Sequence, residues 1–153
     1  TLFGGWSADY MVRKTKNRNW YIWIPFVSTI IAIPFALNTF LLMPDGYITV
    51  YSYFIPTFFG GWYLAPCLAA NHFLVGIRMR AMASAILLFM LNLIGLGFGP
   101  MLTGFVSDFL TPEFGNNGLR YALSITILIN VWCAFHYYCC LQTITKDFDR
   151  APA

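Results

Sequence analysis

Charge is what this sequence has least of. Of 153 residues only 10% are charged, nine Lys and Arg against six Asp and Glu, and a water-facing domain of this size needs a more charged surface. A soluble fold is therefore set aside. Histidine is scarcer still, at two residues, and the four cysteines, Cys67, Cys133, Cys139 and Cys140, form no Cys-x-x-Cys pair. They read as small apolar filler rather than as metal ligands or disulfide partners. No nucleophile-and-base constellation, phosphate loop or metal-ligand spacing occurs, so the chain reads as a non-enzyme that needs no cofactor and no metal. The net charge of +3 carries no nucleic-acid meaning, because the Lys and Arg cluster in short loops suited to anionic membrane lipids.

What is present is apolar: 59% of residues are hydrophobic and the mean hydropathy is +0.65. The sequence runs uncharged from Asn19 to Pro44, Gly46 to Ile77, Ala81 to Ser107 and Tyr121 to Thr145, each stretch about 25 to 32 residues and long enough to cross a bilayer. The runs are continuous, without the alternation of a barrel strand, so the expected fold is an all-α, polytopic transmembrane helix bundle. Expected spans are 19–43, 47–75, 81–108 and 119–144, preceded by 1–12 as the end of another helix whose start lies upstream. Arg13, Lys14, Lys16, Arg18, Arg78, Arg80, Lys146 and Arg150 fall on alternate connections and Arg120 on the other side, which places both ends of the segment in the cytoplasm. The membrane implied is a cell membrane, inner or plasma.

Pro44-Asp45-Gly46 reads as a tight outer turn, and 111–118, with Pro112 and Gly115, as an outer loop. Proline and glycine also interrupt the spans themselves, at Pro25, Pro34, Pro56, Gly60, Gly61 and Pro66, as broken helices that line a cavity or pack on protein tolerate. Gly95, Gly99 and Pro100 mark a kink or a close packing surface in the third span.

The stretch Gly5-Trp6-Ser7-Ala8-Asp9-Tyr10-Met11-Val12-Arg13-Lys14 fits a G-x-x-x-D-x-x-G-R-R/K pattern except that Val12 replaces the second glycine. It resembles the signature loop of the major facilitator superfamily. Because four spans follow it, the resemblance implies its second copy, between helices eight and nine of a twelve-helix transporter, so that the whole chain reads as one partial C-terminal half. The partner it implies is the N-terminal half of the same transporter. Arg78-Met79-Arg80-Ala81-Met82-Ala83-Ser84-Ala85 and Asn92-Leu93-Ile94-Gly95-Leu96-Gly97-Phe98-Gly99-Pro100 are similar to the Spinster-type lipid and sphingolipid transporters and their bacterial relatives. The implied activity is secondary active transport of a small amphipathic or organic solute, possibly lysolipid-like, by alternating access.

On that resemblance Gly5, Asp9, Arg13 and Lys14 form a conformational latch, the Asp9 carboxylate reaching the N-terminus of a helix in the other half and Arg13 and Lys14 bracing it. Gly104-Phe105-Val106-Ser107-Asp108 repeats the glycine, aromatic and aspartate spacing at an outer face, which makes Asp108 a candidate outer gate. Tyr53, Thr57 and Asn92 lie on small, polar stripes of the second and third spans and are candidate cavity residues, with Phe58 and Trp62 as apolar wall. No acid or base lies deep in a span, leaving His72 and His136 as the alternatives for a proton path. Two other classes compete: a four-helix membrane redox or haem-binding module with those histidines as ligands, and a small structural membrane protein.

Overall fold

The computed structural model describes residues 1–41 and 47–151, and helices account for nearly all of them, with no strand among the described residues. The architecture is a partial membrane helix bundle. Two helical runs are long and apolar enough to cross a bilayer, Trp20–Leu41 and the run Ile77–Arg150, which doubles back on itself near Gly115. The expected Pro44-Asp45-Gly46 turn lies outside the described residues.

α1 (Leu2–Thr15) buries Gly4 and Ala8, one turn apart. It stops where Lys16 takes a left-handed φ of 57° and its N–H reaches the Val12 carbonyl at 2.8 Å. The Asn17 side-chain oxygen then accepts the Asn19 N–H at 2.9 Å and turns the chain into α2 (Trp20–Leu41). Pro25 and Pro34 lie inside α2 and each removes one ladder hydrogen bond.

The span expected at 47–75 is two helices, α3 (Tyr47–Gly60) and α4 (Leu64–Leu74). At 14 and 11 residues neither crosses a hydrocarbon core of about 30 Å alone. The break has a local cause: Gly60 and Gly61 give the backbone freedom, and Pro66 offers no N–H to the Trp62 carbonyl four residues back. α1 comes in against this break. A Cβ at Gly4 would fall on the Trp62 carbonyl oxygen, so only glycine fits there.

The third span comprises α5 (Arg80–Met90), a π-helical stretch Leu91–Phe98, and α6 (Gly99–Phe114). It runs beyond the expected end at Asp108, and Thr111 to Phe114, expected in a loop, are helical. Pro112 costs one backbone bond without ending the helix, which stops only at Gly115, with φ +55°. A short 3₁₀ turn, Gly115–Asn117, leads into α7 (Gly118–Arg150), 33 residues long and extending past both ends of the expected 119–144. Gly118 lies so close to Thr111 that a Cβ would come within 2.8 Å of its Oγ1, which keeps this hairpin tight.

α2 is the hub, packing on α1, α3, α4 and α7, while α6 packs on α7 and α5 on α4. The apolar core gathers near the basic residues that follow α1, where Ala8, Tyr21, Ile22, Ala70, Ile144 and Phe148 are buried together. None of the residues of α5, the π stretch or α6 is buried. The packing role expected of Gly95 and Gly99 therefore has no partner among the described residues: a Cβ at either would meet open space. Pro100 follows the π stretch in a continuous helical run, so its missing N–H leaves a carbonyl of the preceding turn without its ladder bond where the helix already departs from its regular pattern.

Candidate functional site

Three places hold the candidate side chains. At the basic end, Asp9 lies in α1, and Arg13 and Lys14 occupy its last turn, where cations offset the negative end of the helix dipole. The expected bracing of Asp9 by Arg13 and Lys14 is not what the structure shows, since no ion pair joins them among the described residues and both basic side chains are exposed. Asp9 is instead held from α2: the Tyr21 hydroxyl donates to its Oδ1 at 2.8 Å. Tyr21 is only 7% exposed, and its ring lies 5.4 Å from that of Phe73 on α4, which in turn meets Phe148 of α7 edge-on at 6.3 Å. The Arg18 guanidinium lies over Phe73, 5.0 Å from the ring centre. Asn19 and Thr145 add a polar tie between the start of α2 and the last third of α7, with Nδ2 donating to Oγ1 at 2.7 Å. Gly5 faces α4, where a Cβ would come 3.1 Å from that of Ala65.

At the opposite end the lone arginine has a structural task. Arg120 Nε donates to the Phe40 carbonyl at 3.1 Å and one terminal nitrogen to Leu41 at 3.5 Å, so the cation caps the last turn of α2. The Asn117 side-chain oxygen holds its other terminal nitrogen at 3.1 Å. Asp108 is exposed on α6 and makes no hydrogen bond or ion pair among the described residues. Gly104, its companion in the repeated spacing, faces open space, whereas its counterpart Gly5 lies against Ala65.

Between these ends a cleft of about 710 Å³ opens among α2, α3, the π stretch and α7. Its wall is mostly apolar. Tyr53 and Thr57 of the expected cavity set line it; Phe58, Trp62 and Asn92 do not. Phe58 and Trp62 form an aromatic group with Phe3 and Phe59, centred on Phe58 at 5.4 to 5.7 Å. Asn92 spends its Nδ2 on the Leu88 carbonyl of its own helix at 2.7 Å. α7 supplies what the sequence reading missed, a polar stripe of Thr126, Asn130, Cys133 and Tyr137 on the cleft wall. Their helical spacing was visible in the sequence. The hydroxyl of Tyr137 lies 3.6 Å from Cys67 Sγ on α4.

The two histidines are not brought together as a ligand pair. His72 Nε2 is 2.6 Å from Ser84 Oγ, joining α4 to α5, and His136 is exposed on α7, edge-on to Trp132 at 5.0 Å. Among the described residues no group of three or more His, Cys, Asp or Glu is placed to hold a metal.

Comparison with known proteins gives one informative likeness. No family model matches the chain, and no solved structure matches it. Over 126 residues it is 32% identical to a protein of Mycolicibacterium smegmatis described as an MFS-type efflux pump. That alignment takes in 82% of this chain, and spans 28% of the pump's length. The likeness supports membership of the major facilitator superfamily.

Proposed function

We propose that this chain is a C-terminal part of a secondary active transporter of that superfamily, exporting or importing an amphipathic organic solute by alternating access. The observation that carries the reading is the likeness to an efflux pump across 82% of the chain. The geometry is in keeping with it. The signature Gly5, Asp9, Arg13 and Lys14 stands at the end of α1, where the chain turns into α2, and Asp9 is fixed there at an exposed, basic face. We read that face as cytoplasmic and Asp9 as the inner latch, closing against the N-terminal half that a transporter of this kind requires.

The solute path runs past α3 and the third span, with Tyr53 and Thr57 as its polar contacts and the remaining wall supplied by the other spans of the transporter. Asp108, without a partner among the described residues, is available as an outer gate once that other half is present. The Spinster-like stretches point to a lysolipid-like cargo, moved without catalysis in a plasma or inner membrane. The test is to reconstitute the full-length protein in liposomes and follow fluorescent lysophosphatidylcholine across the membrane under a proton gradient. Gradient-dependent movement abolished by Asp9→Asn is the expected result; no movement of lysolipid, with movement of a cationic dye instead, would replace the lipid reading while keeping transport. Absence of both would overturn transport itself.

A further inference from the structure

We infer that Tyr21 is the positioning residue of the Asp9 latch, holding the carboxylate at the basic end and tying its state to α4 and α7. The inference rests on the latch reading above and adds to it a partner within this chain. Three observations carry it. The phenol–carboxylate contact is short, 2.8 Å, and comes from a side chain that is 7% exposed, so little of that residue is open to water. The Tyr21 ring is itself fixed, 5.4 Å from Phe73, whose other neighbours are Phe148 and the Arg18 guanidinium. The basic side chains expected to do this work, Arg13 and Lys14, are exposed in the last turn of α1.

A carboxylate held on one oxygen keeps its other oxygen for a donor from outside the chain. When the outer partner leaves, Asp9 retains the Tyr21 bond instead of becoming a partly buried, unpaired charge. Tyr21 thereby sets where the carboxylate stands in the closed state and lowers the cost of the open one. Because the ring is wedged against Phe73, a movement of Asp9 is passed to α4, whose partner α5 begins the third span.

The test uses the full-length protein in nanodiscs, with amide hydrogen exchange read on peptides covering 5–24 and, as control, 100–125. Tyr21→Phe keeps the ring and removes the hydroxyl alone. Loss of a hydrogen bond to a charged group corresponds to about a tenfold faster exchange in 5–24. Asp9→Ala, which removes the acceptor that Asn would keep, should do the same, the double variant no more than either single one, and the control segment should be unchanged. Asp9→Glu keeps the charge but shifts the carboxylate off the phenol; it should loosen 5–24 as well, and serves if Tyr21→Phe does not accumulate. An effect of Asp9→Ala with none from Tyr21→Phe or Asp9→Glu would overturn the inference and leave the latch standing. Additive effects, or equal loosening of 100–125, would make Tyr21 merely structural and overturn it too. If Asp9→Ala itself leaves exchange unchanged, the latch falls, and the inference with it.

Discussion

The basic end and the third span are built from similar residues and packed in opposite ways. At the basic end, α1, α2, α4 and α7 bury Ala8, Tyr21, Ala70, Ile144 and Phe148 against one another, and at the far end of α1 Gly4 lies against the Trp62 backbone. Along Arg80–Phe114 no residue is buried, and Gly95, Gly99 and Gly104 face open space. Small residues in a membrane helix permit close approach but do not supply it; what decides is whether a second helix is present at that face. The basic end is packed by helices of this chain, while the third span offers a face that the described residues leave uncovered.

The largest effect that would break or sharpen this contrast comes from a matched pair of substitutions. Gly4→Ala puts a methyl group onto the Trp62 carbonyl, which cannot yield without separating α1 from the α3–α4 break, and should cost about 3 kcal/mol. Gly104→Ala meets nothing and removes a flexible residue from a helix, so it should stabilise the isolated chain by about 0.5 to 1 kcal/mol. Unfolding of the two variants in mixed detergent micelles, followed by circular dichroism, measures both. Equal destabilisation by the two would show that the third span packs as tightly as the basic end.

Next in size is Arg120. Its bonds to Phe40 and Leu41 hold the end of α2 from the start of α7, away from the aromatic core. Arg120→Ala should cost about 2 kcal/mol, since carbonyls at a helix end lose a charged donor, and Arg120→Lys should recover part of it without the fork geometry. The same unfolding assay reads it. Loss confined to proteolytic sensitivity near Leu41, with the melting of 1–24 unchanged, would show the two ends to be independent.

Much of this architecture is legible in the sequence, because bilayer thickness turns uncharged run length into helix number. The broken second span is legible too, since Gly60, Gly61 and Pro66 weaken the helical ladder together at one place. Other features depend on which way a helix is turned, and one sequence does not fix that. Tyr21 fits a headgroup anchor as well as a buried donor, and only the angle between α1 and α2 directs its hydroxyl at Asp9. Gly5 belongs to the signature, yet it is Gly4 that meets backbone. Pro112 suggests a helix end, but a single lost bond is offset by the rest of the turn, and α6 stops at Gly115. The cleft stripe on α7 has ordinary helical spacing, and its meaning depends on α2 and α3 standing opposite.

The smallest expected effect concerns how the third span is held at all. His72–Ser84 at 2.6 Å ties α5 to α4, and Thr103–Thr126 at 3.1 Å ties α6 to α7, with the exposed π stretch between them. Interhelical hydrogen bonds between such groups in membranes average about 0.6 kcal/mol, because the separated helices find other partners. Ser84→Ala and Thr126→Val should therefore each cost about that amount. The two sites lie on separate contacts, so their costs should add in the double variant. Their signature should be local: faster amide exchange across 80–114, with none across 5–24, since neither bond touches the aromatic core. A π-helical stretch is a point at which a helix already departs from its regular ladder, so loosening should concentrate at Leu91–Phe98. Exchange spread evenly from α5 through α6 would mean that the span moves as one rod, and that the π stretch does not divide it into an inner part carried by α4 and an outer part carried by α7.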